Sequence, residues 1–273
     1  MIPIKDENPT FSTPVLTIAL IVINVIVFFT EPVLASGRIH EELNVIPVCA
    51  QEPKACNQLR YFACNGAIPY ELTHGERVGD VLARGDQFKT GQENISAVME
   101  RISCPRKNIW LSILKSMFLH GSILHIVFNM LFLWVFGNNV EDRLGKVKFV
   151  AFYLLAGTAA AYTQSYVFPG SAVPLIGASG AVAGILGAYI LMFPRARVRT
   201  LVILIIFVTM IVVPAWVMIG IWFLTNLLSS VGSVSGDTGV AYMAHVGGFL
   251  AGMLLLLIFR PRRPQQQQAS IPY

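Results

Sequence analysis

The chain is predicted to be an all-α polytopic membrane protein, a six-transmembrane-helix bundle with both termini inside and a long outer first loop. Three observations predict it. The 273 residues are 55% hydrophobic and only 13% charged, whereas an ordinary soluble domain carries roughly a quarter charged residues. The apolar residues fall into long blocks, several near the roughly 20 residues that a hydrocarbon core about 30 Å thick demands of a helix. The basic residues cluster in alternate short connections: Arg143, Lys146 and Lys148; Arg195, Arg197 and Arg199; Arg260, Arg262 and Arg263. That pattern matches the positive-inside rule. The formal net charge of +5 is therefore a topology signal with anionic lipid contact as its consequence, and no nucleic-acid partner is expected.

Residues 1–14 form an inner N-terminal segment, and the first helix covers 15–30. A cleaved signal peptide is the rival, with small residues at Ala35-Ser36-Gly37. Its n-region would be poor, because Asp6 and Glu7 offset Lys5. Residues 31–115 read as an outer loop domain holding all four cysteines, Cys49, Cys56, Cys64 and Cys104. Their confinement to one exported segment favours disulfides in an oxidising compartment. Three connectivities remain open, and the spacing lacks the close Cys pairs of a zinc site. Asn94-Ile95-Ser96 in the same loop is a glycosylation sequon, meaningful only in a eukaryotic secretory pathway.

The remaining helices are expected at Ser116–Phe136, Phe149–Phe168, Leu175–Phe193, Leu201–Leu228 and Val240–Phe259. The fourth of these blocks is long and contains Pro214. Two short spans there would put Arg260, Arg262 and Arg263 outside, so one tilted or kinked helix is predicted. Residues 260–273, with four consecutive glutamines, form a disordered inner tail.

Polar groups at membrane depth are costly and mark function by default. Three blocks descending from the outer side begin with them: His120, His125 and Asn129; Ser179 in Gly177-Ala178-Ser179-Gly180; and His245. Ser179 lies about fourteen residues, or roughly 21 Å, from the inner boundary near Phe193, which places it on the order of 10 Å below the outer surface. His245 lies at a similar distance from Phe259. A serine and a histidine at one depth suggest nucleophile and general base. The Ser179 N–H near a helix N-terminus, His125 and Asn129 are candidate oxyanion donors. Each residue alone has a bland explanation, since serine bonds back to its own helix and asparagine glues helices together. Their joint appearance at one depth is what favours chemistry. Gly180, Gly184 and Gly187, and Ala244, Gly248 and Gly252, let two helix backbones approach closely.

These residues resemble the rhomboid family of intramembrane serine proteases. The match comprises His120-x4-His125-Ile126-x2-Asn129, Glu141-Asp142-Arg143-Leu144-Gly145, Gly177-Ala178-Ser179-Gly180 and Ala244-His245-x2-Gly248. It covers about Lys115 to Phe259, so 116–259 reads as the catalytic core. The resemblance implies a Ser179–His245 dyad without metal or cofactor, an oxyanion site of His125, Asn129 and the Ser179 backbone, and structural roles near the site for His120, Gly177, Gly180 and Glu141. It implies transmembrane protein substrates, entry beside the fifth helix, and a multi-pass protein of the plasma membrane, the inner one in a bacterium. Two features depart from the family. Ala183 stands four positions after the serine, where some members stack an aromatic ring on the histidine, so something else must hold His245. The family's Trp-Arg pair in the first loop is missing. Asp237, eight residues before His245, lies in a Ser/Gly-rich stretch, Ser229 to Gly239, that reads as a mobile loop rather than a third triad member. A catalytically inactive relative that binds transmembrane clients is the alternative, but such proteins lack the nucleophile or base. A transporter would show an internal repeat, and none is found.

Overall fold

The computed structural model describes residues 1–32, 53–84, 104, 106–204, 207–232 and 240–261. Its elements in chain order are β1 (Ile2–Asp6), α1 (Val15–Thr30), α2 (Pro53–Asn65), α3 (Pro69–His74), α4 (Val78–Ala83), α5 (Ile109–Ser116), α6 (Ile123–Leu144), α7 (Lys146–Val167), α8 (Ser179–Met192), β2 (Arg197–Leu204), β3 (Phe207–Pro214), α9 (Ala215–Gly232) and α10 (Tyr242–Phe259). Among the described residues, α6 and α10 are long and apolar enough to cross a bilayer; α1, α8 and most of α9 are apolar but shorter.

Helices α7, α8 and α10 form the centre. Glycine is required where α8 meets α10: a Cβ on Gly248 would collide with the Gly180 carbonyl oxygen, and one on Gly252 with that of Gly184. Gly180 in turn faces Ala160 of α7, whose Cβ would lie 2.6 Å from an added one. Small residues remove the side chains that would keep the backbones apart, so packing contacts act over the whole shared length. Below this seam the interior is aromatic. Phe136, Phe149, Phe152, Tyr153 and Tyr189 are fully buried, with Phe136 edge-on to Tyr189 at 4.9 Å. The outer faces keep large apolar side chains exposed, Leu254, Leu257 and Ile258 among them.

The described residues are mostly helical, as expected, but the fold is not all-α. The block at Leu201–Leu228 splits: β2 and β3 pair antiparallel from Arg197↔Pro214 to Leu204↔Phe207, and β1 adds to the free edge of β2. The helix begins only at Ala215. The physical reason lies in the side chains. Val198, Thr200, Val202, Ile203, Val208, Thr209, Ile211, Val212 and Val213 are β-branched, a composition that favours a pleated strand over a helix. Pro214 ends β3, an edge strand of the sheet and so a place where a proline is tolerated, and stands immediately before the helix. Because Arg197 sits opposite Pro214, the hairpin returns the chain to the end of the bundle it left. The N-terminal segment, expected to lie inside, is a strand in part. Its Asp6 accepts hydrogen bonds from Tyr189 Oη of α8 at 2.7 Å and Asn139 Nδ2 of α6 at 2.6 Å. Burial pushes the Asp6 carboxyl up to about 6, with the Tyr189 bond pulling the other way.

Glu141 belongs to this same end. It lies sixteen residues beyond His125 on α6, roughly 24 Å along the helix, so the structure separates it from the residues it was expected to accompany. Helix α1 has no capping side chain of its own. The Glu141 carboxylate accepts from Leu16 N (3.0 Å), Thr17 N (2.7 Å) and Thr17 Oγ1 (2.7 Å). A carboxylate there satisfies first-turn N–H groups and complements the helix dipole. Glu141→Gln is expected to lower folding stability by about 2 kcal/mol, the scale of a buried hydrogen bond to a charged group. Thermal melting in detergent would show it, and an unchanged midpoint would exclude the capping role.

Helices α2 to α5 lie in the segment expected to be a loop domain. Cys64 and Cys104 form a disulfide with a sequence separation of 40; Cys49 and the side chain of Cys56 lie outside the described residues. Lys107 and Glu71 pair at 2.5 Å with both side chains buried, and Lys107 Nζ also donates to the Ala63 carbonyl at 2.8 Å. Burial lowers the Lys107 pKa, while Glu71 partly restores it. The sequon at Asn94, Asp237, and the tail beyond 261 also lie outside the described residues.

Candidate active site

Ser179 is the first residue of α8. Its N–H is therefore among those that the helix leaves without an intrahelical partner, and the dipole adds positive character there. His245 stands one turn into α10, whose Gly248 seam with Gly180 brings the two helices together. The outcome is a hydrogen bond of 2.8 Å between Ser179 Oγ and His245 Nε2. The other ring nitrogen, Nδ1, is 2.6 Å from Asn226 Oδ1 on α9. Trp222 lies with its ring 5.9 Å from the imidazole, and Tyr242 stands edge-on at 6.4 Å. Ala183, four positions after the serine, brings no ring to the histidine, and these three residues hold the imidazole.

Gly177 sets the approach to Ser179. Its φ of 119° is a glycine conformation, and a Cβ there would lie 2.7 Å from His125 Nε2 and 3.5 Å from Ser179 Oγ. His125 and Ser179 thus flank the same point in space. Gly177 N also donates to the Ser116 carbonyl at 2.8 Å, tying the turn to the end of α5. Ser122 caps α6 by accepting from His125 N at 3.2 Å. The Gly121 N–H donates to His125 Nδ1 at 3.4 Å, which leaves the hydrogen of a neutral His125 on Nε2, the nitrogen beside Gly177. Asn129 is buried and donates through Nδ2 to the His125 carbonyl at 3.0 Å, using one of its two amide hydrogens. His120 is fully buried behind His125, with ring centroids 5.0 Å apart.

These groups open into a cavity of about 570 Å³ between α6, α9, α10 and the loop that precedes α8. Its walls include Phe128, Phe132 and Trp222, and its polar lining includes His125, Asn129, Ser179 and His245. The loop wall is anchored from the cysteine-bearing segment: Leu175 N donates to Ala67 O at 2.6 Å and Tyr70 N to Ser171 O at 3.0 Å. A deep apolar cleft with a few convergent polar groups is the usual form of a binding site.

The rhomboid domain model matches residues 107–262, more than half of the chain. The chain belongs to the rhomboid family. This makes it a membrane protein. It is 32% identical over 163 residues to presenilin-associated rhomboid-like protein A, mitochondrial, of Danio rerio, an alignment covering 56% of this chain and 40% of that protein. Over 150 residues it is 31% identical to rhomboid protein 1, mitochondrial, of Saccharomyces cerevisiae, covering 53% and 40%. Over 149 residues it is 34% identical to the rhomboid protease GluP of Bacillus subtilis, covering 54% and 26%. The chain thus spans well under half the length of these relatives. Two of the three are mitochondrial by name, so the expected plasma-membrane location is not supported.

Among the predicted site residues, the structure gathers Ser179, His245, His125, Asn129, Gly177, Gly180 and His120 at one end of the bundle and leaves Glu141 at the other. Sequence reasoning missed Asn226 and Trp222. The available signal was an asparagine in an apolar run, four residues after a tryptophan and so on the same helix face.

Proposed function

We propose that this rhomboid protein is an intramembrane serine endopeptidase that cuts membrane-anchored proteins in or near their transmembrane segments. The observation that carries the reading is the 2.8 Å bond from Ser179 Oγ to His245 Nε2 in the lining of a mostly apolar cavity. Ser179 attacks the scissile carbonyl while His245 takes its proton and later returns it to the leaving amine. The negative oxygen then faces the Ser179 N–H, His125 Nε2–H and the free hydrogen of Asn129. In this reading α1 and α6–α10 are the six spans, residues 31–115 are outside, and the hairpin and both termini are inside. The retained serine and histidine speak against a purely client-binding relative.

The test is cleavage of a single-span substrate in proteoliposomes. Site-specific cutting by the wild type, absent with Ser179→Ala, is the expected outcome. A wild type that binds such substrates and never cuts them would overturn the proposal. The anchored cavity wall gives a second expectation. Closing a loop with a separation of 40 residues stabilises by about 4 kcal/mol in the chain-entropy account. The pair Cys64→Ser with Cys104→Ser should therefore melt at lower temperature and raise KM several-fold through a loosened 168–176 loop. Unchanged melting and KM would detach this segment from the site.

A further inference from the structure

His245 is suspended between two hydrogen bonds, and the second one fixes what the first can do. Asn226 is buried on α9, and its Nδ2 donates to the Trp222 carbonyl at 2.8 Å. A carbonyl oxygen only accepts, so the amide group facing Trp222 must be the NH2. That turns Oδ1 toward His245 Nδ1, at 2.6 Å. Oδ1 is also an acceptor only, so Nδ1 must carry the hydrogen. A neutral imidazole has one N–H. Nε2 is then bare and can accept the Ser179 hydroxyl.

We propose that Asn226 is a positioning residue that sets the tautomer and the ring orientation of His245. Resting on the protease reading, this supplies the orienting third group that a nucleophile–base pair requires, from a helix not implicated by the motifs. It uses a neutral amide where a carboxylate would be costly to bury at membrane depth. Because Ser179, His245 and Asn226 stand on α8, α10 and α9, the reactive tautomer depends on α9 remaining within hydrogen-bond reach of α10.

The experiment combines kinetics with ¹⁵N spectra of selectively labelled histidines, His245 being assigned through its loss in His245→Gln. Wild type, Asn226→Leu and Asn226→Asp are compared as full chains in detergent, after melting curves establish that each is folded. The wild-type His245 should show a protonated Nδ1 and a bare Nε2. Asn226→Leu should lose that preference and lower kcat about 10²-fold with little change in KM, less than the roughly 10⁴-fold loss of a histidine base held in the wrong tautomer, because leucine removes the preference without imposing the opposite one. Asn226→Asp restores the acceptor, so it should recover most of the rate. Its carboxylate favours imidazolium, moving the acid limb of the pH–rate profile to higher pH. A wild-type tautomer signature and wild-type kcat in Asn226→Leu would overturn the proposal, as would an Asn226→Asp no better than Asn226→Leu with an unmoved acid limb. A wild type that never cleaves would end the protease reading, and the tautomer spectra alone would then decide the role of Asn226.

Discussion

Replacing Ser179 or His245 by alanine is expected to lower cleavage by at least about 10³-fold while leaving the helix bundle folded. The two form one proton-transfer unit, so losing either member costs about as much as losing both, and the double variant should be no slower. Stability should respond differently. Ser179 and His245 are only half-buried, and neither makes the Gly180–Gly248 or Gly184–Gly252 contacts that join α8 to α10. Melting midpoints close to wild type, with activity gone, would separate chemistry from folding. A double variant distinctly slower than either single one would show that the residues act independently.

Gly177→Ala is expected to produce the second-largest loss. A φ of 119° is a backbone region that residues with a Cβ avoid, at a cost of about 1–3 kcal/mol. The new methyl would also lie 2.7 Å from His125 Nε2, a distance that real Cβ contacts do not tolerate. Either the turn before Ser179 shifts or His125 rotates, and both damage the geometry in which Ser179 meets its oxyanion donors. Activity should fall at least about 10²-fold, on the scale of removing one oxyanion donor. Kinetics and a thermal melt of the same preparation check this. Ready acceptance of alanine, with normal kcat, would mean that the turn and His125 are not coupled to catalysis.

Much of the site was legible because the membrane makes polarity conspicuous. Ser179, His245, His125 and Asn129 stand out against apolar runs, and the four-residue glycine spacing indicated which helices touch. The alternate grouping of arginines led to the expectation of one crossing in the long fifth block; in the structure that block is an antiparallel hairpin followed by a helix. The hairpin itself was not foreseen. A continuously apolar run has no periodicity to tell strand from helix, and the β-branched side chains from Val198 to Val213 were the discriminating feature. Glu141 was grouped with the site because motif membership says nothing about depth, and only the length of α6 separates it from His125. Asn226 was overlooked because an asparagine inside a membrane helix is ordinarily helix-to-helix glue. Its partner became visible once α9 and α10 were laid side by side. The pairing of Cys64 with Cys104 required the fold, since four cysteines allow three connectivities.

The central claim is that Ser179 is a nucleophile activated by His245, and covalent labelling tests it most directly. The full-length protein would be treated with a fluorophosphonate and the modified peptide located by mass spectrometry. The account predicts a single adduct on Ser179 in the wild type, formed far more slowly in His245→Ala. An adduct on another residue, no adduct in folded wild-type protein, or labelling of Ser179 at equal rate without His245 would contradict it.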